Sequence, residues 1–364
     1  MKQALEKLHK INELLLENSK DENGLGLLNG KLGLSIYFYH LAKKTGTQEY
    51  MEAADNLVVE IFDKLSEAKL PADFENGLAG IAFGISYLVN SDFVEADLDD
   101  TLGDLDDRIF MFLEDQKGKL SSNLRNGLIG YLIYSLNRLE TSLKSGHQSN
   151  TYIFHKLTSG LLNELGQLIE EEKLQDREPQ LFNIFWDLPL ALMVLAKAKN
   201  LKVNVYKVDR ILDYLLPNLL SLFPSLHSNR LYLLLGIESV LGEINNAALK
   251  THGVFLKKSI DIETIFNSEC KNLNISVMDG ASGLRLVGNK LGRISGDVSF
   301  FTSDEQVLAK INKAASWGEN DFYVPFKKSI GLASGLSGVA WALLESLSNV
   351  GHLVVEKKSD SVTL

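Results

Sequence analysis

The stretch "FENGLAGIAFGISYLV", Phe74 to Val89, sets Gly77, Gly80 and Gly84 into what otherwise reads as an apolar helix. Each interior glycine weakens a helix by roughly 1 kcal/mol relative to alanine, so the pattern needs close packing or a function to offset it. It recurs in "LLNGKLGLSIYFYHLA" (Leu27 to Ala42), "NLRNGLIGYLIYSLNRL" (Asn123 to Leu139), "VMDGASGLRLVG" (Val277 to Gly288) and "LASGLSGVAWALLESL" (Leu332 to Leu347). Two wide gaps hold degraded copies. "FWDLPLALMVLAKAKN" has Asp187 and Leu190 at the glycine positions, and "HSNRLYLLLGIESVL" has Arg230 and Leu233. The first position of the motif then falls at residues 30, 77, 127, 187, 230, 280 and 335, a step of about fifty that suits one helical hairpin per repeat.

A repeat that runs from end to end predicts a single all-α domain over residues 1–364, in spite of a length that would otherwise suggest two or three. Between the glycine motifs lies a second kind of helix. In "NLVVEIFDKLSEA" the residues Leu57, Val58, Ile61, Phe62 and Leu65 form one stripe, with Glu60, Asp63 and Lys64 off it, so one side faces water. "GVAWALLESL" after Gly338 is apolar nearly all round, as a helix packed between helices must be. The order is outer helix, loop, inner helix, seven times. Periodicity allows an open superhelix or a closed ring, and the small residues at the start of each inner helix favour the ring. The alternation in "GRISGDVSFFTS" (Gly292 to Ser303) predicts a small hairpin, and the tail "VEKKSDSVTL" is expected to fray.

A net charge of −10 argues against nucleic acid or an anionic membrane as partner, while a basic peptide fits. One cysteine, Cys270, excludes an internal disulfide framework and suits a reducing compartment. The N-terminal "MKQALEKLHKINELLLENSK" is amphipathic through Leu5, Leu8, Ile11, Leu14 and Leu15, unlike a signal peptide, and no apolar run reaches membrane-spanning length. A cytoplasmic location is the expectation. "VEADLDDTLGDLDDRIF" lacks the glycine register of a calcium loop and carries a helical stripe of Leu98, Leu102, Leu105 and Ile109, so it reads as an acidic helix start. "GLGLLNGKLG" fails as a phosphate loop because a leucine follows Lys31 where a hydroxyl residue is needed.

With Asn29, Asn76 and Asn126 as N-caps, each glycine pair sits on the first turn of an inner helix, and all inner helices start at one end of the ring. Free N–H groups and positive dipole ends would converge there in an anion-friendly bowl. Its expected lining is Lys31, Glu75, Asn76, Arg125, Asn126, Trp186, Asp187, His227, Ser228, Asn229, Arg230, Met278, Asp279, Ser282 and Arg285. Asp187, His227 and Asp279 are the candidates for acid or base chemistry; the others would bind a ligand. The glycines read equally well as packing devices, and the polar set as a solvated rim.

"NGLAGIAFGISYLV", "NGLIG", "DGASG" and "SGLSGVAWALLESL" resemble the lanthionine synthetase C-like family, and the likeness runs over nearly the whole chain. The resemblance implies an α/α toroid of seven inner and seven outer helices, and a role in peptide modification. It also implies, for the active cyclases, a zinc ion that holds a substrate cysteine as thiolate for addition to a dehydrated serine or threonine. The family's ligands are a cysteine before the fifth motif and an adjacent cysteine and histidine before the sixth. Those places correspond here to Ser228, Met278 and Asp279, and Trp186 stands where active members carry a histidine. No metal and no cofactor is therefore expected. The leading expectation is a binding or accessory partner for a precursor or substrate peptide, working with a modifying enzyme. The alternative is a zinc-independent enzyme, sugar-active or a peptide-modifying lyase or cyclase, using carboxylates in the bowl; seven hairpins and the lack of an aromatic-rich cleft speak against sugar chemistry.

Overall fold

The computed structural model describes residues 2–65, 69–174, 177–270, 275–314 and 328–345. The described residues are helical throughout their regular structure. Among the described residues, seven outer helices, α1 (Lys2–Asn18), α3 (Gln48–Leu65), α5 (Leu98–Asp115), α7 (Gln148–Glu170), α9 (Val205–Ser221), α11 (Ala247–Ser259) and α14 (Asp304–Lys313), alternate with seven inner ones. The inner set is α2 (Lys31–Thr45), α4 (Leu78–Asn90), α6 (Leu128–Ser145), α8 (Asp187–Asn200), α10 (His227–Leu241), α13 (Ala281–Ser295) and α15 (336–345). A short turn, α12 (Ile262–Thr264), widens into a π-helical turn over Ile265–Glu269.

Each inner helix packs against the next, α2 on α4, then α6, α8, α10 and α13. The ring closes where Trp341 of α15 meets Tyr37 and His40 of α2, at 6.5 and 4.7 Å between ring centres. The expected toroid of seven hairpins is therefore what forms. Burial follows the two sequence patterns. Helix α4 is buried on every side, from Leu78 to Leu88, whereas α3 buries only the stripe Ala54, Leu57, Ile61 and Leu65. The acidic segment is a helix start, with Asp97 accepting from the N–H groups of Asp99 and Asp100 and Leu98, Leu102, Leu105 and Ile109 buried beneath it. Two expectations need correction. The region 292–303 carries a single turn of 3-10 helix, Val298–Phe300, in place of a hairpin, because Asp297 caps that turn by accepting from the Ser299 N–H. The N-caps are Gly30, Gly77 and Gly127, not the asparagines before them. The tail 355–364 lies outside the described residues.

The glycines are needed for close approach. A Cβ on Gly80 would lie 2.1 Å from the Phe74 carbonyl oxygen, and one on Gly338 would lie 2.0 Å from that of Leu332. The same six-residue step recurs at Gly33, Gly130 and Gly283. The loop before each of these helices folds over its first turn.

His40 supplies a pH signature of ring closure. Burial, then the nearby Lys43, pushes its imidazole from 6.5 down to about 4, and its Nε2 lies 2.6 Å from the Tyr87 hydroxyl. The unfolded chain binds the proton more readily, so stability falls as pH drops from about 6.5 to about 4. The loss is about 2–3 kcal/mol, and His40→Leu is expected to flatten that slope in urea titrations at several pH values.

Candidate functional site

The loops that precede the inner helices form a rim at one end of the ring. The loops before α6, α4, α2, α15, α13 and α8 are linked by backbone bonds, which pass over the loop before α10. The Phe74 and Glu75 N–H groups donate to the Arg125 carbonyl, Leu28 donates to Glu75, Ala333 to Leu28, Met278 to Ala333, and Ile184 to Met278, at 2.8 to 3.1 Å. A side chain spans the remaining step, with the Arg125 guanidinium 4.6 Å over the Phe185 ring. Arg125 also donates from Nη2 to the Met278 sulfur at 3.2 Å and lies 3.8 Å from Glu75. Glu75 accepts from the Asn29 amide at 3.0 Å, and Asn29 accepts from the Ser334 hydroxyl at 2.7 Å. A small polar mouth results, built from Asn29, Glu75, Arg125, Phe185, Met278 and Ser334.

At α4, α6 and α15 the free N–H groups expected at this end are already bonded. Leu78 and Ala79 donate to Pro71 and Ala72, Leu128 and Ile129 to Ser121 and Ser122, and Leu336 to Ser329. The wrapping loop that forces glycine into the helix start also satisfies the orphan donors. The fifth repeat differs. Its helix α10 begins at His227, three residues before the position read from the sequence. Its first-turn donors go to two of the chain's own carboxylates: Ser225 and Leu226 donate to Glu178, and His227 and Ser228 to Glu269. Burial pushes the Glu178 carboxyl up, but the Asn229 amide and these N–H groups outweigh it and hold it below the usual range. At α10 the anion-friendly helix end is present, and glutamates occupy it.

Of the predicted lining, the structure brings Glu75, Arg125 and Met278 together at the mouth. Asp279 lies beside them, accepting from the Ser276 hydroxyl at 2.7 Å. Asp187 is buried at the start of α8 and accepts from Ser122 at 2.5 Å; burial raises its carboxyl, opposed by that bond. With the buried Trp186 it lines a cleft of about 520 Å³ that also takes Lys173, Arg177 and Phe185. The others have structural positions. Arg230 donates to the Pro224, Ser225 and Ser259 carbonyls; Arg285, 1% exposed, pairs with Asp304; Ser282 donates to Ile275; Lys31, also 1% exposed, pairs with Glu60. The His227 Nδ1 accepts from the Asp261 N–H at 3.0 Å, and the buried Asn229 amide donates to Glu178 and Pro179. Asn76 is exposed, and Asn126 faces a different cleft, between the second and third repeats. Sequence reasoning missed Asn29, Ser334, Phe185, Glu178 and Glu269. Asn29 and Ser334 had a signal, since each directly precedes the first motif glycine, as Asn76, Asn126 and Asp279 do.

The zinc ligand set that the resemblance implies does not fit these residues. The Met278 thioether is taken by Arg125, whose positive charge opposes a cation; Ser228 is a buried hydroxyl on the first turn of α10, and the three-residue slip of that repeat moves its place to Ser225, whose hydroxyl donates to Glu178. Among the described residues no three His, Cys, Asp or Glu side chains are grouped so as to hold a metal ion. Cys270 is buried and its thiol is pushed up to about 11, chiefly by burial.

Ring and rim define the class of protein as a seven-hairpin α/α toroid with its inner helix starts gathered at one polar mouth. Residues 21–183 match the family model Lanthionine synthetase C-like protein, so the resemblance read from the glycine motifs is found again over that part of the chain. A solved structure of nisin cyclase superposes with a TM-score of 0.67 at 17% identity, over 95% of this chain and 94% of that one, and shows the shared fold. No curated protein matches by sequence. Among the described residues no helix is long and apolar enough to cross a membrane.

Proposed function

We propose that the protein is a cytoplasmic, single-domain toroid that takes part in maturation of a small peptide, holding or presenting that peptide at the mouth without zinc cyclase chemistry. The reading is supported by the match to the lanthionine synthetase C-like model and by the chemistry of the three positions where the resemblance puts ligands. The carrying observation is the Arg125 guanidinium on the Met278 sulfur, a cation on one of the side chains to which the resemblance assigns a ligand place. Plasma mass spectrometry of the purified untagged protein after mild dialysis is expected to give no stoichiometric zinc. One zinc per chain would overturn the reading. A pull-down with precursor peptides encoded nearby, alongside candidate modifying enzymes, is expected to retain a peptide, and Arg125→Ala is expected to weaken that retention. Failure to recover any peptide at micromolar affinity counts against the proposal.

A second reading rests on Asp187. Its carboxyl is buried, favoured in the protonated form by burial and placed on a cleft that also offers Lys173 and Arg177. That is the position of a general acid in a zinc-independent enzyme. Product analysis of Asp187→Asn separates the two readings: an unchanged product spectrum removes the enzyme.

A further inference from the structure

The rim carries a second cleft, bordered by an outer helix, in which the fold leaves two polar side chains unused. It has a volume of about 610 Å³ and lies between the loop at 70–73, the loop at 119–126 and the outer helix α5. Tyr131, 1% exposed, lines it, and its hydroxyl makes no hydrogen bond. A buried donor left unmade costs stability, so a phenol kept here without a partner points to a group that arrives from outside. Arg108 also lines it and, among the described residues, its guanidinium has no ion pair or hydrogen bond. The Lys119 ammonium on the same cleft donates only to the Asp115 backbone carbonyl, which leaves its charge unneutralised.

The acid in the cleft has a structural task, though its charge still reaches the Tyr131 phenol. Asp73 accepts from the Asn76 and Gly77 N–H groups at 2.8 and 3.1 Å, and so builds the loop. Of the charged side chains that line the cleft two are cations and one is a carboxylate, on a chain of net charge −10. Its walls are apolar, with Phe112 packed against the Tyr131 ring and Leu120 beside it. Such a surface suits a carboxylate next to an aliphatic group. Burial, with Asp73 adding to it, pushes the Tyr131 phenol far up, so it remains a donor.

We propose that this cleft docks an acidic side chain of a peptide, the carboxylate held by Arg108, Lys119 and the Tyr131 hydroxyl and an adjacent aliphatic side chain laid on Phe112 and Leu120. The assignment rests on the peptide reading above and extends it. Consecutive residues of one loop serve both places: Asn126 faces the cleft and Arg125 faces the mouth. A peptide anchored in the cleft is thereby led over the rim to the mouth.

The test uses the full chain and a fluorescently labelled, end-capped pentapeptide alternating leucine and glutamate, with a twin carrying glutamine for glutamate. Anisotropy titrations are expected to show the acidic probe binding about tenfold more tightly than its twin, with Arg108→Ala abolishing the difference. Tyr131→Phe is expected to weaken the acidic probe while leaving the melting temperature equal or higher, because it removes an unpaired buried hydroxyl. A structural role for the phenol would instead lower the melting temperature. Equal affinity of the two probes, or a charge preference that survives Arg108→Ala, overturns the cleft. Loss of the preference in Arg125→Ala but not in Arg108→Ala also overturns it and leaves peptide binding at the mouth intact. If neither probe binds, the cleft assignment fails whatever the precursor pull-down returns.

Discussion

Gly80→Ala is expected to cost the folded state roughly 4 kcal/mol or more, a large part of what an ordinary domain has to lose. Helix propensity alone predicts the reverse, a gain of about 1 kcal/mol for an interior position. Geometry decides the sign. The new methyl would stand 2.1 Å from the Phe74 carbonyl oxygen and 3.0 Å from its carbon, and the neighbour is backbone, unable to rotate aside. The loop cannot drift outward either, because the Phe74 and Glu75 N–H groups are bonded to the Arg125 carbonyl of the next repeat. Accommodation at Gly80 therefore has to open the rim between two repeats. Gly103→Ala is the control. That glycine lies inside α5 with nothing within 4 Å of an added Cβ, so propensity is unopposed and a gain of about 0.5–1 kcal/mol is expected. Urea midpoints of the two variants read both effects, and a Gly80→Ala midpoint equal to that of the parent would show that the loop can relax.

The same contact explains why so much of the architecture was legible. A glycine that must approach a backbone carbonyl six residues earlier leaves a fixed mark, and five such marks phase the ring. Where the close approach is absent the phase slips. In the fifth repeat Glu178 and Glu269 cap α10, no glycine is required, and the helix starts at His227, three residues before the position that sequence phase assigns. The contents of the mouth were half legible. Glu75, Arg125 and Met278 follow from sitting just before the motif, and their convergence needs only the ring. Arg230, Ser282 and Arg285 lie at or after the first motif position instead, where their side chains bond to the loop before the helix or serve the wall between inner and outer helices, since a helical side chain's direction turns by about 100° per residue. The anion bowl failed for a reason that the motif itself contains. A loop tight enough to demand glycine is tight enough to place its carbonyls on the helix's first N–H groups.

That wall gives the second large effect. Arg138→Ala is expected to cost about 3–5 kcal/mol at neutral pH, since it leaves a buried carboxylate without its counter-charge. Arg138 is 1% exposed on α6; its Nη2 lies 2.8 Å from Asp106 and 3.1 Å from Asp99 of α5, and its guanidinium is 4.9 Å over the Phe154 ring of α7. Tyr134 donates its hydroxyl to Asp106 at 2.5 Å, and His147, just before α7, pairs with Asp99. One guanidinium thus ties an inner helix to two outer ones. Burial pushes the Asp106 carboxyl up, with Arg138 pulling the other way, so removing the arginine raises it further. An acid whose folded value is raised loses stability as pH rises through that value. The penalty of Arg138→Ala is therefore expected to be smaller at about pH 5 than at about pH 8. Replacing both partners, Arg138→Met with Asp106→Leu, is expected to recover most of the loss, because the cost lies in the uncompensated charge more than in the missing contact. Denaturant titrations of the single and double variants at the two pH values decide it: a double variant as unstable as Arg138→Ala would mean that the pair, not the burial of its remaining charge, holds α5 and α7 to the ring.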